Sequence, residues 1–130
     1  MKPAELLGMA EKAREFARCP YSGFAVGAAL LTKEGKVFTG CNIENASYGL
    51  TVCAERVALV KALSEGEVHF SHIAIFTAAE VLTPPCGPCR QLLWEYAGNL
   101  LIILGNSQGN ITRYRLSKLL PHPFDGKNLQ

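Results

Sequence analysis

Two short motifs constrain this chain more than any other feature: Cys53-Ala54-Glu55, and Pro85-Cys86-Gly87-Pro88-Cys89 further along. Between them they offer three thiolates and one carboxylate. A structural zinc site ordinarily closes its tetrahedron with four protein ligands, whereas a catalytic one keeps three and leaves the fourth position to water. The obvious ligands here stop at Cys53, Cys86 and Cys89, so the chain is expected to hold one zinc ion with a corner left open for chemistry. A C-x-x-C pair alone suits redox and purely structural sites as well. The Cys-x-Glu that precedes it moves the reading toward catalysis.

The pattern around the motifs places both at helix starts. Pro3 can open a helix along which Leu6, Ala10, Ala13 and Ala17 recur, until Cys19-Pro20-Tyr21-Ser22-Gly23 breaks it. Apolar runs at 24–31 and 37–41 flank Lys33-Glu34-Gly35-Lys36 and predict an antiparallel hairpin, followed by a polar loop over 42–50. Helical spacing over 52–63, with Val57 and Val60 on the apolar face and Gly66 near the end, puts Cys53 at a helix start. A strand at 73–77 precedes a helix over 88–96 opened by Pro88, so the second motif also begins a helix. Strands at 100–104 and 111–114, joined by a short loop, predict an antiparallel return, and a helix over 116–120 leads into a Pro-containing tail. The order αββαβαββα around one sheet predicts an α/β layered fold, a single domain over residues 1–130.

Helix starts suit thiolates, because the partial positive charge there favours anionic ligands and lowers thiol pKa. Zinc with three thiolates still carries a formal charge of about −1 and is a poorer Lewis acid for it; Arg56, directly after Glu55, can donate to the ligand sulfurs and temper that charge. Glu55, two residues after Cys53, need not coordinate the ion and suits a proton shuttle. Cys19 and Cys41 lack such context and are expected to be small buried residues. His69, His72 and His122 show no metal-binding repeat and are expected in solvent-facing or core roles.

Bulk properties exclude several classes of partner. The formal charge is only +2, and the one local basic cluster is Arg113, Arg115 and Lys118, so no stripe suited to a polynucleotide is visible. No run approaches the length needed to span a bilayer, and Met1-Lys2-Pro3-Ala4-Glu5 does not begin a signal peptide. An odd number of cysteines, five, argues against a disulfide framework, so a soluble cytoplasmic protein is expected. At 130 residues the chain is short for an enzyme that must enclose a substrate alone, which suggests oligomerisation.

A Cys-x-Glu followed by P-C-x-x-C is also the signature of zinc deaminases. Read together with Asn42-Ile43-Glu44-Asn45-Ala46-Ser47-Tyr48, Cys53-Ala54-Glu55-Arg56, Pro85-Cys86-Gly87-Pro88-Cys89-Arg90-Gln91 and Leu119-Leu120-Pro121-His122-Pro123-Phe124, it makes the chain resemble the cytidine deaminase family over nearly its whole length. The likeness is to the short homotetrameric branch with Cys as the first zinc ligand. It implies a mixed five-stranded sheet flanked by helices, and hydrolytic deamination of cytidine or deoxycytidine in pyrimidine salvage. It also implies zinc on Cys53, Cys86 and Cys89, Glu55 as proton shuttle, and Arg56 beside the thiolates. Asn42 and Glu44 match the pair that holds a ribose hydroxyl, which has independent sense because alternate residues of extended chain point the same way. Phe24 matches an aromatic beside the pyrimidine, and Ala54 a main-chain position that reads the base. Ala46 and Tyr48 match positions that reach a neighbouring subunit's nucleoside, and Phe124 matches a tail aromatic that covers the base from another subunit. Without the resemblance, Asn42 and Glu44 would read as a polar loop or cap and Phe24 as core. Pro88 stands where the family often has a small residue, and a helix-opening Pro is compatible with that place.

Two alternatives remain open on the sequence. One is a deaminase of another aminopyrimidine nucleoside such as blasticidin S, against which Asn42-Ile43-Glu44-Asn45 argues for an ordinary ribose or deoxyribose. The other is a non-catalytic zinc-stabilised interaction module, which would show a fourth protein ligand and a Glu55 turned away from the metal.

Overall fold

Alternation along the strands sends the apolar residues to two faces, and the layers follow from that. The computed structural model describes residues 1–130 and gives, in order, α1 (Pro3–Arg14), β1 (Val26–Thr32), β2 (Val37–Cys41), α2 (Ala54–Ser64), β3 (Phe70–Thr77), α3 (Gly87–Ala97), β4 (Leu101–Asn106), β5 (Ile111–Arg115) and α4 (Leu116–Leu119). Single 3-10 turns lie at Tyr48–Leu50 and Gly126–Leu129. Ala28, Leu30, Ile73, Ile75, Ile102 and Leu104 bury one face under Ala58, Leu59 and Ala62 of α2 and Leu93 of α3. Their strand neighbours Ala29, Leu31, Ala74, Phe76 and Ile103 bury the other under Leu6, Leu7 and Ala10 of α1. Each fully buried Leu or Ile contributes about 1.5–3 kcal/mol, so strands hidden on both faces form the stable centre.

The five strands lie in the order β2-β1-β3-β4-β5. β1 is antiparallel to both β2 and β3, β4 is antiparallel to β5, and β3 with β4 makes the one parallel pair. A parallel pair needs a crossover, and α3 supplies it. The sheet is therefore mixed, as the sequence led us to expect. No helix is long and apolar enough to cross a membrane.

Two glycines set how closely the helices approach. A Cβ on Gly27 would lie 1.9 Å from the Ala10 carbonyl oxygen, and one on Gly40 would lie 2.4 Å from the Ala54 carbonyl oxygen, so α1 and α2 each rest backbone to backbone on a strand. This approach corrects the expected face of α2. The residues against the sheet are Ala54, Ala58, Leu59 and Ala62, while Val60 is exposed, because only small side chains fit where the helix sits on Gly40.

Helix α1 also stops at Arg14, short of Ala17. The next residues tighten into i→i−3 bonds, from Phe16 N–H to Ala13 O and from Ala17 N–H to Arg14 O. The chain then leaves to pair with 42–44, Arg18 N–H donating to Asn42 O at 2.9 Å and Glu44 N–H to Arg18 O at 2.8 Å. That long-range pairing is invisible to helical periodicity. Cys19 and Cys41 are half-buried rather than buried.

Candidate active site

Cys53 caps α2 and Cys86 caps α3, both in extended conformation, and Cys89 lies in the first turn of α3. Their sulfurs all fall within 4.8 Å of one another, with Cys53 to Cys86 at 3.9 Å and Cys86 to Cys89 at 3.4 Å. Tetrahedral zinc with Zn–S bonds of about 2.3 Å needs sulfur–sulfur edges of about 3.8 Å, so the cluster fits the ion with little movement. No fourth His, Cys, Asp or Glu joins it. The loop before α3 is braced by Arg90, whose Nε donates to Pro85 O at 2.7 Å while its other guanidinium nitrogen reaches Leu119 O at 2.8 Å. Arg56 donates to the Cys53 sulfur at 3.9 Å, the contact anticipated from its place in the motif.

The thiols of the cluster perturb one another. A hydrogen bond with Cys89 pushes the Cys53 thiol down to about 5, assisted by Arg56 and Cys86 and opposed by burial. The same bond pushes Cys89 upward, as does its burial. A dication taking all three as thiolates would displace the protons still held by the cluster. Glu55 is 6 % exposed, and burial pushes its carboxyl up to about 7, with the charge of Cys53 adding to the effect and a hydrogen bond with Cys89 opposing it. A buried carboxyl that titrates near neutrality can both accept and return a proton there.

Above this floor is a cavity of about 270 Å³, which brings together Phe24, Asn42, Glu44, Cys53, Ala54, Glu55 and Cys86. Asn42 is buried and bonded at both ends: Val26 N–H donates to Oδ1 at 2.8 Å, and Nδ2 donates to Phe24 O at 2.8 Å. Glu44 Oε1 accepts from the Tyr21 and Ser22 amides at 3.0 and 3.1 Å, and its other oxygen accepts from the Ser22 hydroxyl. That hydroxyl holds the Glu44 carboxyl below its ordinary range. Ile43, between the two, is 44 % exposed and exchanges backbone bonds with Val52, so Asn42 and Glu44 share the cavity side as their alternation suggested.

Other expected residues lie outside the cavity. Tyr48 lines an adjoining hollow of about 330 Å³ together with Glu44 and Ser22, and it is 80 % exposed. Ala46 is exposed and lines neither space. Phe124 is exposed in the tail, away from the cavity of its own chain. Conversely, Ser22, Thr51, Thr83 and Pro84 line the cavity without having been singled out. Loop residues of these types carry no spacing signal, and they arrive through strand pairing and the loop between β3 and α3.

Three sulfurs with one corner free, beside a buried carboxyl that titrates near neutrality, define the catalytic class of zinc site on an α/β/α sandwich. Residues 2–104 match the model of the cytidine and deoxycytidylate deaminase zinc-binding region. A cytidine deaminase of Halalkalibacterium halodurans is 50% identical over 125 residues, covering 95% of this chain and 95% of the relative. One of Sporosarcina psychrophila is 43% identical over 130 residues, covering 99% and 96%. The crystal structure of a cytidine deaminase from Burkholderia pseudomallei superposes with a TM-score of 0.93 at 46% identity, covering 95% of this chain and all of that one. The chain belongs to the cytidine and deoxycytidylate deaminase family. Its cofactor is zinc, one ion per chain.

Proposed function

We propose that this chain hydrolyses cytidine and deoxycytidine to uridine and deoxyuridine, releasing ammonia, in cytoplasmic pyrimidine salvage. The observation that carries the reading is the juxtaposition of Glu55, buried and titrating near 7, with the three-sulfur cluster at the floor of a cavity whose wall holds Asn42 and Glu44. Zinc on Cys53, Cys86 and Cys89 supplies activation of the attacking water. Glu55 takes one proton from that water and delivers it to the ring nitrogen of the base, then takes the second from the hydroxyl so formed on the ring carbon and passes it to the departing amine. The net change replaces C–NH2 by C=O with water consumed and ammonia released. Arg56 tempers the thiolate charge, Asn42 and Glu44 hold a ribose hydroxyl, Ala54 reads the base through its main chain, and Phe24 lies beside the ring.

All 130 residues form one catalytic unit in this reading, and four chains complete one another's sites. The cavity is smaller than the range of about 300–1,000 Å³ common for ligand pockets, and it is flanked by exposed aromatic side chains. Ala46, Tyr48 and Phe124 reach neighbouring subunits. The free state of all five cysteines suits a reducing cytoplasm. Ultraviolet assay of the zinc-loaded protein with cytidine, deoxycytidine, cytosine and blasticidin S should show turnover of the first two and little of the others; inertness toward both nucleosides sinks the proposal. Hybrids of Glu55→Gln and Phe124→Ala chains, confirmed by mass spectrometry, should exceed the activity of either impaired parent. No recovery in them removes the shared site and leaves the zinc chemistry standing.

A further inference from the structure

Beyond Leu120 the chain has Pro121 and Pro123, which lack a backbone N–H, and no regular element before the turn at Gly126–Leu129. Its hydrogen bonds to the rest of the molecule reduce to two, both at Phe124 and both to one side chain. Gln91 Nε2 donates to the Phe124 carbonyl at 2.6 Å, and the Phe124 N–H donates to Gln91 Oε1 at 3.0 Å. The remaining bonds of this segment stay within residues 125–130. The Phe124 ring is 59 % exposed, so packing within its own chain does not fix it.

An amide that both donates to and accepts from one residue sets the rotation of that backbone as well as its place. The clasp is also mounted on the zinc helix. Gln91 follows Cys89 by two residues on α3, and its neighbour Arg90 ties the same turn to Pro85 and Leu119. The helix turn that presents two of the three sulfurs therefore holds the end of α4 at Leu119 and the tail at Phe124.

We propose that Gln91 is a positioning residue that holds Phe124 ready to cover a nucleoside. The inference rests on the proposed function, in which Phe124 acts on a neighbouring subunit's site. A tail ordered before substrate arrives spares the cost of ordering it on binding, so a broken clasp lowers apparent affinity by the fraction of time the ring is out of place. From two neutral hydrogen bonds that effect is about tenfold.

The test is a double-mutant cycle on zinc-loaded protein. Gln91→Ala should raise KM for cytidine about tenfold, leave kcat within about twofold and keep the zinc content. Its Phe124 amide, freed from Oε1, should exchange with solvent faster. In a Phe124→Ala background the same substitution should cost nothing further, because the ring it positions is gone. Gln91→Glu keeps the acceptor and loses the donor, so it should fall between, and it carries the test if Gln91→Ala misfolds. An equal loss in the presence and absence of the Phe124 ring overturns the inference, since Gln91 would then act through the zinc loop. Unchanged KM in both variants despite faster exchange overturns it too. Full activity of Phe124→Ala alone fells the covering role of the tail in the proposed function, and the clasp with it.

Discussion

The floor of the cavity and its rim are built by different means. Cys53, Glu55, Cys86 and Cys89 stand at the starts of two helices that pack Ala58, Leu59, Ala62 and Leu93 on the buried face of the sheet, so the core itself aims them. The rim, made of Tyr21–Phe24 and the segment after β2, has little apolar anchorage. It is held by side chains that reach across the sequence to main-chain atoms, Asn42 to Phe24 and Val26 and Glu44 to Tyr21 and Ser22, and the tail, which lies apart from the cavity, is held in the same way by Gln91 at Phe124. In the proposed reading chemistry thus rests on packing, and recognition on polar cross-links that leave aromatic side chains exposed.

The sharpest way to break this contrast is at the floor. Glu55→Gln should keep its zinc and its melting temperature while turnover falls by about 10²–10⁴-fold or more, because an amide cannot carry protons. Cys53→Ala should instead lose metal, so zinc analysis beside the ultraviolet assay separates the two. Deamination by Glu55→Gln at the parent rate would remove Glu55 from the mechanism.

Next in size is an effect on stability in the zinc-free protein. Burial lifts the Glu55 carboxyl from an ordinary 4.5 to about 7, so the folded state holds a proton that the unfolded state releases in that window. Stability contributed by the neutral carboxyl is complete below 4.5 and is lost as pH rises toward 7, a change of about 3 kcal/mol. Without zinc, Glu55→Gln should therefore be more stable than its parent by up to about 3 kcal/mol at pH 8 and no different at pH 4, measured by urea unfolding. Equal stabilities at pH 8 would show that burial does not keep this carboxyl neutral. The depressed Cys53 thiol acts in the opposite sense above about 5 and is present in both proteins, and its charge beside Glu55 is part of the difference the comparison reads.

The smallest effects belong to the rim, and they divide its residues. Glu44→Ala should lower kcat/KM for cytidine by about 10–100-fold, as expected for loss of a hydrogen bond to a charged group, with little change in unfolding. Asn42→Ala should lower both, since it also orphans the Val26 amide and the Phe24 carbonyl at the entry to β1. Identical stability for the two variants would erase the distinction between a recognition residue and one that frames the site as well.

The floor was also the more legible part in sequence. Two motifs at helix starts named Cys53, Glu55, Cys86 and Cys89, and the order of elements followed from periodicity and turn residues. Legibility failed where a contact joins distant segments. The end of α1 at Arg14 follows from the pairing of Arg18 with Asn42 and Glu44. The true buried face of α2 follows from Gly40, on a neighbouring strand. Gln91 could be quoted as part of a motif, yet its partner lies 33 residues on, beyond any local pattern.

Gly27 and Gly40 lie on adjacent strands and one register step apart, Gly27 opposite Cys41 and Ala28 opposite Gly40. At that spot α1 backbone rests on Gly27 and α2 backbone on Gly40, with no side chain of the strand between. Elsewhere a shifted helix is cushioned by rotamers that give way. Here nothing soft intervenes, so the section behaves as a stiff strut from the outer helix to the first turn of α2. A bulkier residue at Ala10 would therefore press on the sheet at Gly27 and, through the strand beside it, on the turn of α2 that carries Cys53 and Glu55.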